Sequence, residues 1–137
     1  MSADLHVNLC GVELSNPLVL ASGILGTSAA LMERVARCGA GAVTSKSCGP
    51  QPRPGHRNPT VLDWGCGLIN AVGLANPGVD EELPILRETA ERLHPLGVPL
   101  IASLFAHSAD DFGRVAGLIA EAGPDVLEVN VSCPNIS

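Results

Sequence analysis

Two side chains in this sequence combine reactive chemistry with an informative position. Cys133 is followed by Pro134, and a residue before proline is kept out of the helical region, so Cys133 belongs to an extended loop. A free thiol has a pKa of ~8.5, so a modest shift or alkaline pH yields a thiolate able to act as a base. As a base it must meet its proton at hydrogen-bond distance. Most free cysteines instead fill small buried sites, which is the reading for Cys10, Cys38, Cys48 and Cys66. Lys46 closes an apolar run, where a cation needs an anionic partner such as a ligand carboxylate. Snorkelling to solvent is the plainer alternative, and Schiff-base chemistry with a carbonyl substrate is a third.

Smaller polar groups surround these two. Ser22, Ser103 and Asn130 lie at the ends of other apolar runs. Asn70, Asn130 and Asn135 each offer two donors and an acceptor, which suits a planar ring edged with N–H and C=O groups. A lone Asn is usually a turn or a cap. Three of them near strand ends or in one insertion depart from that. The backbone amides of 72–74, loosened by Gly73, suit a carboxylate, and Gly23 would let the backbone approach a flat ring. The four histidines share no metal-ligand spacing. Arg53, Arg57 and Arg87 read as solvated or salt-bridged, and Glu128 as a buried structural acid that must be paired or protonated.

These groups need elements to hold them. Leu5, Val7 and Leu9, a turn at Gly11, then Val12 and Leu14, spell an N-terminal β-hairpin. Short apolar strands follow at 18–21, 42–46, 98–104 and 126–130. Between them run helical patterns. Leu31, Val35 and Cys38 are one face, capped by Thr27 or Ser28 and stopped by Gly39. Val79, Leu83, Leu86, Ala90 and Leu93 are a second, with Pro84 marking an early turn or kink. Phe112, Val115, Ala116, Ile119 and Ala120 are a third, capped by Ser108.

Apolar strands alternating with helices give an α/β architecture with a parallel sheet. An open doubly wound sheet and an eight-fold barrel compete. Side chains two apart share a face, so Thr44 joins Lys46 and Glu128 joins Asn130. Four successive strands then carry polar groups to one mouth, where barrel enzymes build active sites. We expect the first four strand–helix units of a (β/α)8 TIM barrel, one partial barrel over 1–137 with a long functional loop at about 47–78. A half-barrel alone exposes strand edges and an apolar face, so assembly with another chain is a non-catalytic reading.

Composition narrows the classes. The chain has 137 residues, 46% of them hydrophobic, too apolar for disorder. A net charge of −6 without a basic cluster argues against nucleic acid. The uncharged stretch 14–32 is broken by Asn16, Pro17 and several small polar residues, so no membrane span is expected. Asp4 and the lack of a basic start argue against a signal peptide. Five cysteines without a CxxC motif fit a reducing, cytoplasmic setting and no cysteine-bound metal.

Four motifs carry a resemblance. They are "NPLVLASG" at 16–23, Lys46-Ser47 after "VTS", "NAVGLANPG" at 70–78 and "EVNVSCPN" at 128–135. Together they resemble dihydroorotate dehydrogenase, specifically the soluble class 1 enzymes with a cysteine base. The resemblance spans essentially the whole chain but only the N-terminal half of that family's barrel. It implies bound FMN and the oxidation of dihydroorotate to orotate in pyrimidine (UMP) biosynthesis. It implies Cys133 as the base and Ser22, Gly23, Lys46, Ser47, Ser103 and Asn130 as flavin contacts. The family often has Asn where Ser103 stands, and a hydroxyl has a shorter reach. Lys46, Asn70, Ala71, Val72, Gly73, Leu74, Asn130 and Asn135 are the implied substrate contacts. A homo-oligomer is expected, and the electron acceptor is either fumarate or NAD through an iron–sulfur electron-transfer subunit.

Overall fold

The computed structural model describes residues 3–133. Its chain opens on a two-residue turn, Cys10-Gly11, with both residues at positive φ, the turn whose twist matches a β-hairpin. The turn joins β1 (Val7–Leu9) to β2 (Val12–Leu14), with Leu9 opposite Val12. Leu14 is buried against Ala42 and Ile101. The hairpin thereby covers one face of the sheet near the strands' N-terminal ends and leaves the C-terminal ends for polar groups.

The sheet itself has four parallel strands, β3 (Val19–Leu20), β4 (Ala42–Thr44), β7 (Leu100–Leu104) and β8 (Val126–Val129), in that spatial order. Helices α1 (Ala29–Arg37), α2 (Val79–Leu93) and α3 (Ala109–Ala120) link successive strands. Period-two alternation divides β7 between two environments. Leu100, Ala102 and Leu104 enter the large core with Met32, Leu86, Leu93, Val115 and Ile119. Ile101 instead meets the hairpin, and Ser103 meets a polar row. The expected strand order and helix sequence are present, with three α-helices among the described residues.

The helix ends obey local chemistry. Ser28 Oγ accepts from Leu31 N at 3.4 Å and Ser108 Oγ accepts from Asp111 N at 3.2 Å, so each caps its helix. Gly39 takes φ +99° just beyond α1, a backbone state open to glycine. Pro84 lies inside α2, and the helix runs through it.

Three details differ from the sequence reading. The 47–78 segment is not all loop: β5 (Val61–Asp63) and β6 (Leu68–Asn70) form an antiparallel hairpin within it. Glu128 is exposed rather than buried. It lies on β8, an outer strand of the sheet among the described residues, with Ser103 beside it. The third detail is a bulge. Thr44 pairs with Ile101 and Cys48 pairs with Leu104, so four steps along one strand face three along its neighbour. That extra residue breaks the simple alternation linking Thr44 to Lys46.

Candidate active site

Ser47, not Lys46, lies beside Ser103 as a result. Ser47 Oγ is 2.7 Å from Ser103 Oγ, and Ser22 Oγ is 3.2 Å from Ser47 Oγ. Ser103 Oγ donates to Glu128 Oε1 at 2.7 Å. Four side chains thus make one hydrogen-bonded row across all four parallel strands. The backbone under the row is fixed too: Ser45 Oγ accepts from Ser103 N at 3.1 Å, and Lys46 N donates to Gly26 O at 2.8 Å. Gly26 is packed so closely on Thr44 O that a Cβ there would lie 2.6 Å from it.

Lys46 is half-buried, and its amine stands over Gly23. A Cβ on Gly23 would lie 3.5 Å from Lys46 Nζ. Gly23 has φ +91°, a state that glycine adopts at little steric cost. Ser22, Gly23, Lys46, Ser47 and Ser103 therefore meet at the C-terminal ends of β3, β4 and β7.

Asn130 and Cys133 form a second group beyond β8. Asn130 N donates to Leu104 O at 2.8 Å, and its Oδ1 accepts from Ser132 N at 3.3 Å. This turn brings Asn130, Ser132 and half-buried Cys133 to a hollow of about 310 Å³ shared with Phe105, His107 and Phe112. Lys46 is not among the residues lining that hollow. Asn135 lies outside the described residues.

The 70–74 stretch is tied down through its carbonyls. Val72 O accepts from His56 N at 3.1 Å, Gly73 O from Arg53 Nε at 2.8 Å and Leu74 O from Asn76 Nδ2 at 2.8 Å. Ala71 N donates to Thr60 O at 2.8 Å. Gly73 and Leu74 both have positive φ, +75° and +52°, and a Cβ on Gly73 would strike the His56 ring. Asn70 ends β6 and is exposed.

The sequence reading missed Asn76. Its Oδ1 accepts from Gly49 N at 3.1 Å and from Gly78 N at 2.9 Å, while its Nδ2 holds Leu74 O. Its backbone exchanges two 2.9 Å bonds with Arg53. One buried side chain so pins both ends of the insertion. The Asn-Pro-Gly signal was visible in the sequence, but a lone Asn there reads as a turn.

Buried groups elsewhere are structural. Burial, and secondarily Glu82, pushes the Cys48 thiol up to about 12, so it stays protonated within the core, as expected of a packing cysteine. Cys10, Cys38 and Cys66 are exposed, against that expectation. Each lies in a turn or just past a helix end, where no core covers it. Among the described residues no cluster of three or more His, Cys, Asp or Glu is placed to hold a metal. No described helix is long and apolar enough to cross a membrane.

A family model described as dihydroorotate dehydrogenase matches residues 4–137. The chain belongs to the dihydroorotate dehydrogenase family. Two relatives carry the name dihydroorotate dehydrogenase B (NAD(+)), catalytic subunit. The one from Methanocaldococcus jannaschii is 44% identical over 131 residues, covering 96% of this chain and 42% of the relative. The one from Methanosarcina acetivorans is 47% identical over 132 residues, covering 93% and 40%. The chain thus spans about two fifths of the length of these relatives. A solved dihydroorotate dehydrogenase from Eimeria tenella, in complex with ferulenol, superposes with a TM-score of 0.83 at 23% identity, covering 98% of this chain and 38% of that one. The likeness establishes the fold. The parallel sheet and its helices are part of a TIM barrel, the architecture expected from the strand–helix alternation together with the polar strand ends.

Proposed function

We propose that this chain forms part of the catalytic barrel of an FMN-dependent dihydroorotate dehydrogenase that oxidises dihydroorotate to orotate in pyrimidine biosynthesis. The observation that supports it most is the polar row at the C-terminal strand ends, with Lys46 over Gly23, in a chain of this family. Barrel enzymes act at that end of the sheet.

The residues present fit a flavin. Gly23 carries no side chain, so a flat ring can approach its backbone, and Lys46 beside it supplies positive charge. Ser22, Gly23, Lys46, Ser47, Ser103 and Asn130 are the proposed flavin contacts. When bound, FMN supplies the hydride acceptor. The chain's own residues bind, orient and take the proton. Lys46 and the 70–74 segment hold the substrate's carboxylate, and Asn70, Asn130 and Asn135 bond the edge of its dione ring. The Cys133 thiolate takes the proton from one ring carbon, becoming a thiol, as the neighbouring carbon gives up its hydride. The relatives' names imply a further subunit. We propose an iron–sulfur partner that carries the electrons to NAD, in a homo-oligomeric, cytoplasmic assembly.

The decisive experiment mixes flavin-loaded full-length protein with dihydroorotate without oxygen. The flavin is expected to bleach. Cys133→Ser keeps FMN and slows bleaching about a hundredfold or more near neutral pH, since general-base catalysis is worth roughly 10²–10⁴-fold. An unchanged rate removes Cys133 from the base role. Lys46→Ala weakens binding of both FMN and dihydroorotate, and normal affinity for both removes it from the site.

A further inference from the structure

One carboxylate at the strand ends is used neither as the proposed base nor as a proposed ligand contact. Glu128 stands directly opposite Ser103 in the β7–β8 register and accepts its hydroxyl hydrogen at 2.7 Å. A carboxylate only accepts, and a serine hydroxyl has a single hydrogen. With that of Ser103 committed to Glu128, Ser47 must donate to Ser103 across 2.7 Å. Ser22 must in turn donate to Ser47 across 3.2 Å. One acid at one side of the sheet therefore fixes the direction of every hydrogen to the other side. Ser22, half-buried at the far end, has used its hydrogen and turns only lone pairs toward the mouth.

We propose that Glu128 is a positioning residue that polarises the Ser103–Ser47–Ser22 row, so that the site accepts a ring N–H at Ser22 and disfavours a carbonyl there. The proposal rests on the flavin and dihydroorotate reading, since both rings carry N–H groups.

The test uses full-length protein titrated with FMN. Glu128→Gln introduces an amide donor that can reverse the row. It is expected to weaken FMN binding about tenfold, the scale of one hydrogen bond, and to shift the absorption bands and midpoint potential of bound flavin. Glu128→Asp keeps an acceptor-only group and restores most of the affinity. In a Ser47→Ala background, where the row is cut, Glu128→Gln changes nothing further. Unchanged FMN affinity and spectrum in Glu128→Gln, or an equal loss in the Ser47→Ala background, overturns the proposal. A urea-unfolding cycle of Ser22→Ala with Glu128→Gln needs no flavin. Coupling of about threefold in the unfolding constant is expected for residues joined through a shared network, and strict additivity also overturns the proposal. Coupling in a wild-type protein that takes up no FMN sinks the flavin reading and leaves the polarised row standing.

Discussion

Leu100, Ala102 and Leu104 in β7 are wholly buried among the helices, whereas Val61, Leu62, Leu68 and Ile69 in the β5–β6 hairpin are half or more exposed. Both regions are β-structure, but they are held by different forces. The sheet centre is a close-packed apolar core. The insertion hangs on polar ties: Asn76 to Gly49, Gly78 and Leu74, Arg53 to Gly73, and His56 to Val72. A region held by packing resists loss of contacts poorly and tolerates surface change well. A region held by a few buried hydrogen bonds fails where one anchor is removed.

The strongest break in this comparison is Leu104→Ala. It should cost about 3–4 kcal/mol by urea denaturation of the intact protein, while Leu68→Ser in the exposed hairpin should stay within about 0.5 kcal/mol. Equal effects would erase the distinction between the regions.

Glu82 gives the next largest effect. It is 2% exposed on α2, its Oε1 lacks a hydrogen-bond partner, and burial raises its pKa to about 7. The folded protein therefore keeps a proton that the unfolded chain releases above the ordinary carboxyl value of 4.5. Stability falls as pH rises through that window and levels off above about 7. The loss is on the order of 3 kcal/mol. Glu82→Gln should flatten the decline in urea midpoint between pH 5 and pH 8. A variant that declines as steeply as the parent would assign the effect to another group.

Asn76→Ala sharpens the comparison from the other side. It strips buried partners from two backbone N–H groups and one carbonyl, at about 2 kcal/mol. Amide exchange at Gly49 and Gly78 should quicken by about thirtyfold while β7 amides keep their protection. Uniform quickening would mean that the insertion and the sheet open together.

These contrasts also explain what the sequence could disclose. The strands, helices and serine caps were legible, because apolar period and capping chemistry are local. The polar strand ends were legible as well: Ser22 and Ser103 fall in one row, and Lys46 meets Gly23. The β5–β6 hairpin was not, since its strands are short and expose their apolar side chains, so no burial pattern announces them. The choice of Ser47 over Lys46 as neighbour to Ser103 was also hidden. It depends on the pairing of Thr44 with Ile101 and of Cys48 with Leu104, a property of two chain segments at once. Glu128 read as buried because its strand is apolar, whereas β8 is an outer strand among the described residues.

The surplus residue between Thr44 and Cys48 works as a phase shift in the strand's two-beat rhythm. Ahead of it Val43 points into the helical layer, and after it so does Cys48. Had the beat run unbroken through these same residues, chemistry would trade places with packing: the Ser47 hydroxyl would turn toward oil and the Cys48 thiol toward the mouth. The spare position makes room for Lys46 ahead of Ser47 while hydroxyl and thiol keep their faces, so spacing here is as binding a constraint as any side chain.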